Sequence, residues 1–443
     1  MAASIIQRLR GSNSERRRTL LLTYWDGAFT ALMIGFSESF AIVWGVKMGL
    51  SLVQIGVLST LPILIGAFAQ WIIPPLISNK NLKVGIQLAH LVQITGLGLL
   101  LSLKGNDEIY FQLLIALTFY WVGGMVTGPL WLDWISGWLP HGKFSRFLGK
   151  RNSFVAAITL FSFLSAAVLV GGFEREFNPD RFFIIFAGGF TARVISWIVI
   201  WFHSSPPLRK KPTLAIGIQK LSERSRKPVY AIICFTVLFK FVVNIASPFF
   251  LPYMFEELKF DLATYVLITA IPFLGRTLYV AKWGEAARQI KPFVGLQIAC
   301  FGIAANAFFW SLAARPAFLG FVEFLSGVMW GGFDLFVVLI VQNYWPGSAR
   351  KILGFHLALM SLASLGGAAV GAHILKVNGG DYIALFQSSA GYRALVALGF
   401  FLVLRRLKET RVSLKVYGDF LATVISIRPS MANIGRIIPL RRK

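Results

Sequence analysis

Acidic residues are scarce in this chain: 19 aspartates and glutamates stand against 44 lysines and arginines, giving a formal net charge of +25. Charge of either sign is sparse, at 14% of 443 residues, where soluble proteins carry about a quarter. Cysteine is nearly missing. Cys234 and Cys300 both lie in apolar runs, so they imply core filling and no disulfide framework. The histidines His90, His356 and His373 fall singly, without metal-ligand spacing, and no metal or cofactor is expected. No phosphate-binding GxxxxGK[ST] loop occurs, which argues against ATP-driven work within the chain. HxxxxD, DxD and HExxH patterns are absent as well, and the loops on one side are short. An integral-membrane acyl or glycosyl transferase is therefore disfavoured, and the chain is not expected to be an enzyme.

Hydrophobic residues, in contrast, make up 56% of the chain, and the mean hydropathy is +0.67. Apolar runs of about 20 residues, each long enough to cross a bilayer core, recur twelve times between Leu20 and Leu404. The fourth is read as Ile109–Leu139 and the fifth as Ser153–Gly172, leaving Pro140–Asn152 as a basic connection. The arginines of the first 19 residues resemble the start of a signal peptide. The run that follows is too long and has no small-residue cleavage site, so it reads as a retained first helix.

The basic residues are not spread evenly. With a cytoplasmic N-terminus, the inside segments hold 33 of the 44 lysines and arginines, while outer loops carry acids such as Asp107, Glu174, Glu256 and Asp381. This asymmetry places both termini in the cytoplasm of a plasma (inner) membrane and makes an anionic inner leaflet, not nucleic acid, the partner of the positive charge. Trp131, Trp134 and Trp138 are expected at the inner interface, with Arg146, Lys150 and Arg151 beyond it.

The chain is also doubled. "LSLVQIGVLSTLPILIG" (50–66) resembles "FDLATYVLITAIPFLGR" (260–276), with Leu52/Leu262, Ser59/Thr269 and Pro62/Pro272 all offset by 210. "PHGKFSRFLG" (140–149) resembles "PGSARKILG" (346–354), offset by 205 to 206. The resulting division is a basic N-terminal tail (1–19), a six-helix bundle (20–203), a Pro- and Lys/Arg-rich linker (204–228), a second six-helix bundle (229–406) and a basic tail (407–443). Within that tail, Leu414–Ile427 is amphipathic enough to lie on the inner leaflet, or else serves nothing specific.

Two parallel six-span repeats joined by a basic inside loop resemble the major facilitator superfamily (MFS), over roughly Thr19 to Arg406. The basic P…R…G segment after span four resembles a bacterial branch with few assigned substrates. The resemblance implies an all-α membrane fold and two halves that rock around a midplane site. The superfamily's acidic-arginine signature after span two is replaced here by "ISNKNLKVG" (77–85), and its antiporter-type arginine motif in span four is missing. Neither function is carried over.

A charge at bilayer depth costs about 2.5–3.5 kcal/mol, so each one needs a partner, a cavity or a task. On span ten, Glu323, Gly327, Trp330 and Asp334 share a face. A carboxylate in a low-dielectric cavity suits reversible protonation, which makes Asp334, with Glu323, the candidate for proton coupling; the alternative is a structural ion pair. Lys240 and Asn244 share a face of span seven, where Lys240 would neutralise Asp334 or hold an anionic group, with Trp330 contacting substrate. Arg193 on span six is a clamp or a counter-ion, and Glu38 is a packing-face carboxylate paired with Arg193. Asp26 lies closer to the inner end and suits an inner gate or the pathway. Asp133, within reach of Arg146 or Arg151, is read as closing the inner mouth, with Gly149, Arg350 and Gly354 in the gate turns. The expected function is secondary transport of a small organic solute by alternating access, proton-linked or facilitative, by a monomer. A transporter-like assembly factor or receptor, whose charges are only structural pairs, stands as the alternative.

Overall fold

The computed structural model describes residues 2–103, 108–139, 141–171, 179–206, 223–287, 291–312, 315–344 and 349–406. The centre of the linker, the tail from 407 and the side chain of Arg350 lie outside the described residues. Among the described residues, twelve helices are long and apolar enough to cross a membrane: α1 (Ser14–Lys47), α2 (Gln54–Leu76), α3 (Asn79–Leu101), α4 (Ile109–Ser136), α5 (Lys143–Leu169), α6 (Arg181–Trp201), α7 (Tyr230–Glu256), α8 (Ala263–Ala286), α9 (Pro292–Ser311), α10 (Pro316–Asn343), α11 (Lys351–Val377) and α12 (Tyr382–Val403). A helix closes its own backbone hydrogen bonds, which hydrocarbon cannot satisfy. The chain is a multi-pass membrane protein.

Helix starts follow the repeat. Ser51 and Gln54 form a capping box at α2, with Gln54 N donating to Ser51 Oγ at 3.3 Å. At the equivalent place before α8, 210 residues on, Asp261 accepts from Thr264 N at 2.9 Å, and the Thr264 hydrogen bonds hold its carboxyl below its ordinary value. Packing follows it too. In the first half α1 packs on α5 and α6, α4 on α2 and α3, and α3 on α6. Their counterparts α7, α11, α12, α8, α10 and α9 pair in the same pattern. Lys83 of the departed "ISNKNLKVG" loop closes the end of α6, donating to the carbonyls of Trp201 (2.7 Å) and His203 (3.0 Å). Burial there pushes the His203 imidazole below its usual value.

The end of the bundle that carries the α4–α5 and α10–α11 turns, called here the basic end, is where the halves meet most closely. One hydrophobic core joins Trp134, Trp138 and Leu148 of the first half to Trp283 and Phe336 of the second. A smaller cluster sets Leu132 of α4 against Val341 and Leu353. The rest of the first half packs around Leu97, Leu113 and Phe163 and reaches Val266 and Ala270 of α8.

Two expectations are corrected. The segment 141–152 is not a loop but the first turns of the helix His141–Leu169. Nothing in it forces a break, two glycines costing only about 1 kcal/mol each, and its Phe144 and Leu148 are buried. Trp131, Trp134 and Trp138 are likewise buried, because α5 and the second half cover them, and they form no interfacial belt.

Candidate functional site

The charged residues gather at three places. In the second half, α7, α8 and α10 bring together Lys240, Arg276, Trp330 and Asp334. Arg276 Nη2 lies 3.1 Å from Asp334 Oδ2, and the two side chains are 36% and 53% exposed. The Lys240 ammonium sits 4.7 Å above the Trp330 ring. Both groups of the ion pair lie well inside their helices. An exposed pair at that depth cannot face hydrocarbon at reasonable cost, so it faces an aqueous space within the bundle. The face sharing of Lys240 with Asn244, and of Trp330 with Asp334, holds. The partnership does not: Asp334 is paired with Arg276, an arginine whose fork matches a carboxylate better than an ammonium. Asn244 is committed elsewhere, its amide donating to Lys240 O (2.8 Å) and Ser364 Oγ (3.2 Å) of α11.

Glu323, nearer the other end of α10, accepts from Trp310 Nε1 at 2.7 Å, and Phe250 stacks on that indole at 4.4 Å. Close by stands Arg393 of α12, fully buried and bonded to Ser389 Oγ (3.1 Å), Ile303 O (3.2 Å) and Val243 O (2.8 Å). Arg393 went unnoticed in the sequence, where its signal was a charge within an apolar run and Ser389 one turn before it on the same face.

In the first half, Asp26 accepts from Ser196 Oγ (2.7 Å) and pairs with Arg151 (3.9 Å), whose guanidinium lies 4.3 Å over the Trp131 ring. Arg193 donates to Thr30 Oγ1 (3.0 Å) and Ser196 Oγ (3.3 Å). This network joins α1, α5 and α6 of one half, so Asp26 is a strut inside that half and not a contact between halves. Glu38 is not paired with Arg193 but accepts from Tyr120 Oη at 2.9 Å. It stands at the end of a π-helical turn, Ile34–Glu38, which shifts its direction relative to a regular α-helix. The network has a repeat-related twin. Asp26 and Arg151 become Thr236 and His356 at offsets of 210 and 205, and those two are also bonded, at 2.6 Å.

The third place is the region expected to form the gate. Arg146 pairs with Glu285 of α8 at 3.5 Å, and Arg151 with Asp26, so the two arginines assigned to Asp133 direct their ion pairs elsewhere. Asp133 is half-buried near the end of α4, its carbonyl accepting from Ser136 Oγ. The Arg146–Glu285 pair is exposed, and Arg146→Ala is expected to change thermal or denaturant stability by less than about 1 kcal/mol. The close contacts are made by glycines instead. At Gly149 a Cβ would meet Val280 O at 2.8 Å and Gly284 Cα at 3.0 Å; at Gly354 it would meet Gln70 O at 2.6 Å. Gly149 and Gly354 are 205 apart, and Gln70 and Val280 are 210 apart. The two contacts are therefore one contact made twice, once by α5 on α8 and once by α11 on α2. Ser153 Oγ also bonds Thr277 O across the halves, and Trp71 packs on Phe355 at 5.5 Å.

No sequence family and no curated protein sequence matches the chain. Among solved structures it is similar to the human organic anion transporter MFSD10 (TETRAN), with TM-score 0.64 and 13% identity over 88% of this chain and 99% of that one. It is also similar to a bacterial homologue of the iron transporter ferroportin in an outward-facing state, with TM-score 0.63 and 14% identity over 88% and 100%. A third similarity is to the MFS transporter FucP in the outward conformation, with TM-score 0.60 and 13% identity over 87% and 99%. The chain has the MFS transporter fold: twelve membrane-spanning helices in two repeated bundles.

Proposed function

We propose that the protein is a secondary transporter that moves a small organic solute across the membrane by alternating access, with protons as the coupling ion. The observation that carries this reading is the doubled glycine contact, which closes one end of the bundle while the Arg276–Asp334 pair stays open to an internal space. The basic end is then the cytoplasmic side, because it carries the lysine- and arginine-rich segments, and the closed contacts belong to an outward-facing state. Two of the similar structures are in outward conformations, and the three named proteins are an organic anion transporter, a bacterial homologue of an iron transporter and an MFS transporter. A plasma (inner) membrane location and action as a monomer complete the proposal.

Glu323 is the better proton carrier. Protonating Asp334 breaks an ion pair with Arg276, whereas a protonated Glu323 keeps an acceptor oxygen for Trp310. Asp334 then organises Arg276. The test uses purified protein in liposomes with a pH-sensitive dye inside, challenged with amino acids, sugars, organic acids, nucleosides and lipophilic cations. One solute should move protons. Glu323→Gln should abolish uptake driven by a pH gradient, at least tenfold, and keep solute exchange. If isotope-measured uptake is silent for the whole panel, the assembly-factor or receptor reading takes over. If Glu323→Gln transports uphill like the wild type, the proton resides elsewhere.

A further inference from the structure

We infer that the substrate is an organic monoanion with a flat apolar body, seated on Lys240 and Trp330; this deepens the transporter reading and rests on it. Three observations converge. The charges of the central cluster do not cancel: Arg276 and Lys240 carry two positive charges, Asp334 one negative, and that one is spent on Arg276 at 3.1 Å. Lys240 is left with a π face as its recorded contact, 4.7 Å from the Trp330 ring, and among the described residues no hydrogen bond or ion pair of its ammonium is found.

Nor does Lys240 have an easy way out. It lies ten residues into α7 from Tyr230, about 15 Å along the axis, too far for its head to reach the basic end. The other charges within its electrostatic reach are Asp334, Arg276 and Arg393. Arg393 is itself cationic, occupied by Ser389, Ile303 and Val243 and set near the Glu323 carboxylate, so it takes no positive charge away from Lys240. A half-buried ammonium with no anion of its own, beside two arginines whose carboxylates are already engaged, is a seat for one carboxylate, sulfonate or similar anion.

Trp330 supplies the second half of recognition. Its indole is half-buried, braced edge-on by Phe333 at 5.3 Å, and stands one helical turn before the exposed Asp334 on the same face of α10. An aromatic or other planar body lying along it removes apolar surface from water while the anionic group reaches Lys240. The carboxylate of Asp334 penalises a second negative charge on the ligand, which favours a monoanion over a dianion.

The probe is 2-naphthoate, with 2-naphthamide as its neutral isostere and 2-naphthylmethylamine as its cation, titrated onto the purified full-length protein in detergent. Binding is read by quenching of tryptophan fluorescence and by the shift in unfolding temperature. Naphthoate is expected to bind at least tenfold tighter than either control. Lys240→Gln should weaken naphthoate tenfold or more and erase the preference, Lys240→Arg should keep it, and Trp330→Leu should weaken naphthoate more than it weakens acetate. Equal binding of acid and amide, no binding of naphthoate, or an unaffected Lys240→Gln that elutes as a single species would each overturn the assignment. Proteoliposomes separate this from the transport reading. Naphthoate bound but never taken up defeats transport and leaves the site. Uptake of a neutral or cationic solute that Lys240→Gln leaves intact keeps transport and defeats the anion site.

Discussion

Valine at both Gly149 and Gly354 is expected to hold the basic end open. Each glycine lies against the backbone of the opposing half, at Val280 and Gly284 for one and at Gln70 for the other, where no side chain can move aside. Overpacking of this kind costs about 1–3 kcal/mol per site, and here the cost falls only on the closed arrangement. Two sites together shift an open-to-closed ratio by roughly 30-fold to 10⁴-fold, enough to reverse a balanced equilibrium. The change is read by double electron–electron resonance between nitroxides on Lys143→Cys and Lys351→Cys, exposed positions on α5 and α11, in a background lacking Cys234 and Cys300. The distance distribution should move to longer values, and solute flux should fall with it. An unchanged distribution in a folded double variant would show that the helices close around some other contact.

The second large effect is expected at Asp26. Asp26→Ala should cost about 3–5 kcal/mol of stability, because the buried Arg193 and the mostly covered Arg151, its side chain 15% exposed, would face each other across a low-dielectric gap. Arg151→Met combined with Asp26→Ala should recover part of the loss, since one uncompensated charge leaves with the arginine. Thermal unfolding in detergent checks both variants. A single Asp26→Ala within about 1 kcal/mol of the wild type would mean that water or another group already neutralises the arginines. The contrast with the small effect expected for Arg146→Ala is one of environment. Arg146 and Glu285 are solvated and screened, whereas Asp26 and its arginines are not.

The fold was readable because the forces behind it act along the sequence. Twenty apolar residues cross a bilayer whatever surrounds them, and Pro62/Pro272 at a fixed offset reports a duplicated unit. The candidate site was readable only within each helix. Spacing puts Lys240 on the face of Asn244 and Trp330 on the face of Asp334, but it says nothing about which helix stands opposite. Hence Arg276 was missed as the partner of Asp334, Tyr120 as that of Glu38, and Glu285 and Asp26 as those of Arg146 and Arg151. Periodicity also assumes a regular helix, so the segment around Glu38 carried no warning of its π turn. Arg393 shows a different limit: its partners are largely backbone carbonyls, which no side-chain pattern records.

That π turn has a counterpart. Ile34–Glu38 of α1 maps at the offset of 210 onto 244–248, where α7 stops at Asn244 and resumes at Phe250 through the 3₁₀ turn Ser247–Phe249. Pro248 enforces the second interruption, having no N–H to give and clashing with the carbonyl four residues back. The first helix of each half is thus a jointed rod, with a short outer lever, Ser39–Lys47 in one and Phe250–Glu256 in the other, beyond the joint. The regular hydrogen bonds that would resist bending are already surrendered at the joints. The end opposite the basic end therefore carries two short segments of nine and seven residues whose tilt is set at these joints, separately from the long segments that hold Asp26 and Lys240.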